Sequence, residues 1–129
     1  MESDVLVVDD SAAIRKILTR VLRQTGMAIQ TIHEAGDGQE ALALMTQHRI
    51  DLVLSDINMP KMDGLQLLAS LKASPQWRAV PVVMITTEGG ETKVAEAVRL
   101  GAAGYVRKPF TADQIKEKLV GILEPAPRL

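Results

Sequence analysis

The sequence contains no cysteine, and this absence removes several kinds of chemistry at once. Without thiols the chain can form neither disulfides nor thiolate nucleophiles, and it cannot hold a metal ion through sulfur. The amino terminus, MESDVLVVDD, carries acidic residues where a secretory signal would carry positive charge and a long apolar stretch. We therefore expect a cytoplasmic protein without a cleaved leader.

Long apolar runs and an excess of one charge are also missing. The early run from Val5 to Val8 is closed by Asp9 and Asp10, far short of the ~20 residues that cross a bilayer. The 15 basic and 16 acidic side chains leave a formal net charge of -1. Such a balance offers no basic surface for a nucleic-acid backbone. The sequence predicts no membrane insertion, no direct nucleic-acid binding, and protein partners.

The chain does have the length and apolar content for one hydrophobic core. Its 129 residues, 47% of them hydrophobic, fall in the range of a single domain. We expect that domain to occupy residues 1–124. Residues 125–129 should form a short tail, because Pro125 and Pro127 forbid further helix.

Short apolar runs alternate with longer segments of helical period, and this alternation predicts strand–helix units. Five such units follow one another. Parallel strands are buried on both faces, so the helices must cover both sides of the sheet. The pattern predicts a doubly wound α/β fold with a five-stranded parallel sheet. The predicted strands are 5–8, about 29–34, 52–54, 80–85 and about 104–107.

All five predicted helices have apolar faces, and two have recognisable first residues. Asp37 should cap the second helix, with Glu40 three positions on. Thr111 should cap the last helix, with Gln114 as its reciprocal partner. The residues expected to be buried on the first, fourth and fifth helices are Ile14, Ile17, Leu18, Val21, Leu22, Val94, Ala97, Val98, Ile115, Leu119, Ile122 and Leu123.

Polar residues follow the predicted strands at the point where each strand ends. Asp9 and Asp10 follow the first strand, Asp56 the third, Thr86 the fourth and Lys108 the fifth. In a doubly wound sheet, sites lie beyond these carboxyl ends. Carboxylates 4 Å apart repel by ~4 kcal/mol at an effective dielectric near 20, so a cation must compensate. Oxygen ligands without nearby His or Cys suit a hard ion such as Mg²⁺.

The same residues suit the transfer of a phosphoryl group, in which positioning and charge neutralisation do most of the chemistry. An aspartate can act as the nucleophile and form an acyl phosphate. Asp56 is the natural acceptor, because it stands alone at a strand end whereas Asp9 and Asp10 form a metal pair. Each residue taken singly has a structural reading, such as a helix cap or a surface lysine. Their joint position at one rim favours a site.

The order of these motifs resembles the receiver domain of bacterial response regulators, over about residues 4–123. The similarity implies a flavodoxin-like (βα)5 fold with strand order 2-1-3-4-5. It also implies a cis peptide bond between Lys108 and Pro109. The matching segments are Asp9-Asp10-Ser11, 37–42 (DGQEAL), Asp56, 59–64 (MPKMDG), Thr86, Tyr105 and Lys108-Pro109-Phe110.

The resemblance implies that Asp56 accepts its phosphoryl group from the phosphohistidine of a histidine kinase. It implies a magnesium ion held by Asp10, by Asp56 and by the backbone carbonyl of Asn58, with Asp9 acting through water. The sequence matches the family pattern at all five active-site positions, which are Asp9, Asp10, Asp56, Thr86 and Lys108.

The resemblance also implies a conformational change. Thr86 and Lys108 would bind the phosphoryl oxygens, and Tyr105 would turn inward when the threonine hydroxyl follows the phosphate. That movement would remodel the surface of the fourth helix, fifth strand and fifth helix, where a protein target binds. Asn58 and Glu88 would set the rate of self-dephosphorylation.

We expect a stand-alone, chemotaxis-type regulator that is monomeric before phosphorylation. It would be a signalling protein with intrinsic phosphotransfer and autodephosphorylation, and not an enzyme with a separate substrate. One alternative is the receiver of a longer DNA-binding regulator, with residues 125–127 beginning its linker. A less favoured alternative is an aspartyl-phosphate phosphatase or phosphotransferase. Those enzymes place the nucleophile on the first strand with a second acid two positions later, which residues 9–12 (DDSA) lack.

Overall fold

Five parallel strands form one sheet in a computed structural model that describes residues 2–87 and 91–123. The expected tail and Glu88 lie outside these residues. None of the described helices is long and apolar enough to cross a membrane. In chain order the elements are β1 (Ser3–Val8), α1 (Ala12–Gln24), β2 (Ile29–Ala35), α2 (Gly38–Gln47), β3 (Leu52–Asp56), α3 (Gly64–Ala73), β4 (Val82–Thr86), α4 (Glu91–Arg99), β5 (Gly104–Arg107) and α5 (Ala112–Leu119).

The strand order is β2-β1-β3-β4-β5, which confirms the predicted fold. The register aligns the carboxyl ends of neighbouring strands. Val8 of β1 is paired with Ser55 of β3, and Thr86 of β4 is paired with Arg107 of β5. Residues that follow these strands are therefore brought to one rim of the sheet.

The two faces of the sheet carry separate hydrophobic clusters, because successive strand residues point to opposite sides. In β1, Val5 and Val7 pack with α1 and α5, in what we call the α1/α5 cluster. Leu6 and Val8 pack with α2, α3 and α4, in the α2/α3/α4 cluster. The near-continuous apolar strands are explained by burial on both faces.

Among the residues that the structure describes, side chains cap the first turns of four helices. Asp37 accepts a hydrogen bond from the Glu40 backbone N–H, as expected. Thr111 and Gln114 form the predicted reciprocal pair, and Asp63 forms a similar pair at α3. Ser11 caps α1. These caps fix the loops that leave the site rim, because each satisfies backbone donors that the helix itself cannot.

Two residues expected in the core are exposed, and the last helix is shorter than expected. Ile17 is 43% exposed and Val98 is 56% exposed. Consecutive helical residues are ~100° apart, so Val98 points away when its neighbour Ala97 is buried, and Ile17 lies at the edge of the buried arc of α1. The α5 helix ends at Leu119. Leu123 is still buried in the α1/α5 cluster, but from a turn beyond the helix.

We predict that Gly64→Ala destabilises the protein, because a Cβ at Gly64 would lie 2.1 Å from the backbone oxygen of Asp56. Relief requires the backbone to move, and we expect the free energy of unfolding to fall by at least about 2 kcal/mol. Gly104→Ala is the matched control, since its nearest contact would be an ordinary 3.9 Å. Urea denaturation of both variants measures the difference. Equal stabilities would contradict the close approach.

Candidate functional site: an acidic pocket at the strand ends

The predicted site residues lie together at the carboxyl rim of the sheet. Asp9 and Asp10 directly follow β1, Asp56 ends β3, Thr86 ends β4, and Lys108 directly follows β5. β1 and β3 are neighbours, and the chain continues from them to opposite edges of the sheet. The acids therefore lie at the point where the topology reverses, which is where doubly wound sheets bind ligands.

Asp9, Asp10 and Asp56 bring one carboxylate oxygen each to within 4.8 Å of one another. Asp9 and Asp56 are buried, while Asp10 is exposed. All three donors are oxygens, and this donor set fits a hard divalent cation such as Mg²⁺ and not a softer metal. The exposed Asp10 leaves the cluster open to solvent on one side. A cation that keeps several of its waters is suited to such a pocket.

Lys108 is the positively charged group inside this cluster. Its ammonium nitrogen lies 3.0 Å from Oδ2 of Asp9 and 3.4 Å from Oδ2 of Asp56. The backbone N–H of Lys108 also donates to the Thr86 carbonyl at 2.7 Å, which fastens the end of β5 to the end of β4. The Lys108–Pro109 peptide bond is cis, as the resemblance implied.

Asp56 is held through both carboxylate oxygens. Oδ1 accepts a hydrogen bond from the Ile57 backbone N–H at 2.8 Å, and Oδ2 faces Lys108. Burial raises the pKa of Asp56, and the charge of Asp9 raises it further, whereas Lys108 opposes both effects. Burial alone would lower the pKa of Lys108, but its hydrogen bond to Asp9 and the charge of Asp56 raise it overall. The pocket thus carries more negative charge than it neutralises by itself.

Thr86 and Tyr105 lie on the same face of the sheet. Tyr105 is paired with Met84 across β4 and β5, and both pack in the α2/α3/α4 cluster. Thr86 follows Met84 by two positions, so its side chain points to that face as well. The Thr86 hydroxyl donates to the carbonyl of Thr87 at 3.2 Å. The Lys118 ammonium lies 5.6 Å from the centre of the Tyr105 ring.

Two basic residues that were not predicted from the sequence contact the rim of the site. Arg15 donates to the Asp9 backbone carbonyl at 2.6 Å and pairs with Glu34 at 3.0 Å, which ties α1 and β2 to the site loop. Lys93 of α4 donates to the side-chain oxygen of Asn58. Helical spacing from Ser11 could have pointed to Arg15. The Lys93 contact joins residues 35 positions apart and has no local signal.

Comparisons with known proteins agree with this fold. The family model of the response regulator receiver domain matches residues 5–120. The chain therefore belongs to the response regulator receiver family.

The relatives found include chemotaxis proteins. The chain is 40% identical to Chemotaxis protein CheY-3 of Vibrio cholerae over 120 residues, covering 93% of this chain and 91% of that protein. It is 39% identical to a Chemotaxis protein CheY homolog of Campylobacter jejuni, covering 92% and 90% of the two chains. The structure of chemotaxis response regulator CheY4 of Vibrio cholerae is similar with a TM-score of 0.83 and 33% identity, over 95% of this chain and 100% of that one.

We predict that Asp56→Asn stabilises the metal-free protein at neutral pH. The folded state holds the Asp56 proton more tightly than the unfolded chain does, since its folded pKa is raised. The wild type therefore loses stability as the pH rises from the pKa of Asp56 in the unfolded chain through its pKa in the folded protein. The Asp56→Asn variant has no such loss, because its side chain does not titrate. In the presence of a chelator, the melting temperature of Asp56→Asn should be higher than that of the wild type at neutral pH. This difference in melting temperature should become smaller in acid.

Glu117→Gln, which removes an exposed acid on α5, serves as the control. Its melting temperature should not differ from that of the wild type in this way. Added Mg²⁺ should stabilise the wild type more than Asp56→Asn, because the ion compensates the acidic cluster. If Asp56→Asn were less stable than the wild type at neutral pH, the charge of Asp56 would not be destabilising the metal-free protein, and the prediction would be wrong.

Proposed function

We propose that this protein is a phosphorylation-controlled signalling protein in which Asp56 accepts a phosphoryl group from a histidine kinase. The observation that carries the proposal is the arrangement of Asp56 beside Lys108 and within 4.8 Å of two further acids. A carboxylate in that position has a cation on one side and a divalent-ion site on the other. Both are needed to offset the charge of a phosphoryl group.

The chemical step follows from these contacts. A carboxylate oxygen of Asp56 forms a bond to phosphorus while the phosphorus–nitrogen bond of the kinase phosphohistidine breaks, and the imidazole keeps the electron pair and takes up a proton. Lys108 stands next to Oδ2 of Asp56, where it would face the arriving phosphoryl oxygens. Mg²⁺ held by Asp10, Asp56 and the Asn58 backbone carbonyl, with Asp9 through water, would neutralise further charge.

The conformational response would begin at Thr86. Its hydroxyl now donates only to the adjacent Thr87 carbonyl, among the contacts described, so it can turn to a phosphoryl oxygen at small cost. Tyr105 shares its face of the sheet and is partly buried in the α2/α3/α4 cluster. Inward movement of Tyr105 would alter the surface formed by α4, β5 and α5. A protein target that binds the surface of α4, β5 and α5 would therefore distinguish the phosphorylated state from the unphosphorylated one.

The lifetime of the phosphorylated state would depend on Asn58 and Glu88. Each lies two positions after a site residue in the sequence, and we expect side chains at such positions to border the path of an attacking water. The short amide of Asn58 leaves room for that water, whereas a bulky apolar side chain would exclude it. Glu88 lies outside the described residues. A small amide and an acid at these positions favour a lifetime of seconds to minutes.

The relatives favour a protein that acts on a separate target. This chain spans 91% of CheY-3 and all of the CheY4 structure, and both are described as chemotaxis proteins. We therefore propose a stand-alone, chemotaxis-type regulator that works in the cytoplasm and is monomeric before phosphorylation. This reading is preferred over a receiver excised from a DNA-binding regulator and over a phosphatase.

We predict that the purified protein gains one phosphate when incubated with Mg²⁺ and acetyl phosphate, and that Asp56→Asn gains none. Intact mass before and after hydroxylamine treatment identifies an acyl phosphate. Asp10→Ala should weaken Mg²⁺ binding measured by titration, because it removes one of the three clustered carboxylates. Labelling that persists in Asp56→Asn would place the acceptor at another residue and reject the proposal.

We predict that Thr86→Ala is still phosphorylated but does not transmit the change. With beryllofluoride as a phosphate mimic, amide exchange across residues 91–106 should change in the wild type and stay nearly constant in Thr86→Ala. Thr87→Ala is the matched control, since the exposed Thr87 contacts Thr86 through its backbone carbonyl, which the substitution keeps. Identical responses in the wild type and Thr86→Ala would exclude Thr86 as the link.

A further inference from the structure

A lysine on α4 contacts the loop that follows the acceptor aspartate. The ammonium group of Lys93 donates to Oδ1 of Asn58 at 2.5 Å, across 35 residues of sequence. Asn58 lies two positions after Asp56. The contact therefore joins α4 directly to the mouth of the acidic pocket, and nothing in the phosphotransfer chemistry above uses it.

The chemistry of the two groups fixes how the Asn58 amide is turned. An ammonium group has three donors and no acceptor, so the amide must present its oxygen to Lys93. That oxygen is the only acceptor in the Asn58 side chain. Of the two other lysines around the pocket, Lys108 faces Asp9 and Asp56, and Lys61 lies 3.8 Å from Asp37. Lys93 is thus the cation that engages Asn58.

We propose that Lys93 is a positioning residue that lengthens the phosphorylated state by occupying the Asn58 side-chain oxygen. This inference rests on the proposed function of Asp56. In the hydrolysis step, a water oxygen forms a bond to phosphorus while the bond from phosphorus to the Asp56 oxygen breaks. Asp56 returns as a carboxylate, and the proton that the water gives up remains with inorganic phosphate.

An attacking water must be oriented by an acceptor near its path. We assign that task to the Asn58 oxygen, two residues after Asp56, but a hydrogen bond from an ammonium group draws its electron density and takes up one of its lone pairs. The contact with Lys93 therefore opposes the loss of phosphate.

The test is the decay of phosphorylated protein after the donor is removed. Lys93→Met keeps most of the side-chain volume and removes the donor, and we expect decay on the order of three- to tenfold faster than in the wild type. Lys93→Arg retains a charged donor and should decay close to the wild-type rate. Arg99→Met is the matched control, because it removes a charge from the same helix at a residue that pairs with Glu96.

A double-mutant cycle shows whether Lys93 acts through Asn58. In the Asn58→Met background, where no amide remains, adding Lys93→Met should leave the decay rate unchanged. Decay that is unchanged or slower in Lys93→Met, or a faster decay that persists in the Asn58→Met background, overturns the inference. A wild type that forms no adduct at all would instead reject the proposed function. Unfolding curves of each variant confirm that α4 remains folded.

Discussion

Three carboxylates at the rim of the sheet each place one oxygen within 4.8 Å of the other two, and the fold holds them there against their mutual repulsion. Only one ammonium group, that of Lys108, stands among them within the described residues. Burial of Asp9 and Asp56 makes the imbalance more costly than it would be in water. A divalent cation would reduce this imbalance, because it would add positive charge where the three carboxylates meet.

The topology explains how so short a chain supports such a cluster. The functional side chains lie at the ends of four strands, with Asp9 and Asp10 together after β1, and the register holds these ends level. The strands are packed on both faces by separate clusters, so the rim cannot relax without disturbing the core. Gly64 shows how tight this arrangement is, because the start of α3 lies directly against the backbone of Asp56.

Alternation of apolar runs predicted the strands and their parallel pairing, and the motif order predicted the strand order. The end of each strand can be recognised in the sequence, because its apolar run stops there. The polar residues found at these points, Asp9, Asp10, Asp56 and Lys108, were therefore predictable. Other features depend on packing between distant segments. Ala97 is buried as predicted, but Val98 is exposed, because the rotation of α4 against the sheet decides which of two adjacent apolar residues faces the core.

The end of α5 and the contacts of Lys93 belong to the same class. Both depend on which groups the tertiary structure brings into contact. The spacing of apolar residues along a helix does not predict such contacts. Short motifs in the sequence indicate the receiver family, whereas the orientation of the Asn58 amide depends on a contact with a residue 35 positions away.

The ion pair between Lys108 and Asp9 also bears on how the protein is made. It joins residues 99 positions apart, so it closes only after nearly the whole domain has left the ribosome. Synthesis runs from the amino terminus, and the acids of β1 and β3 emerge long before the lysine that offsets them. A nascent or truncated chain that ends before β5 therefore carries these acids without the ammonium group of Lys108. The pocket can reach its final charge only after β5 and the residue that follows it have been made.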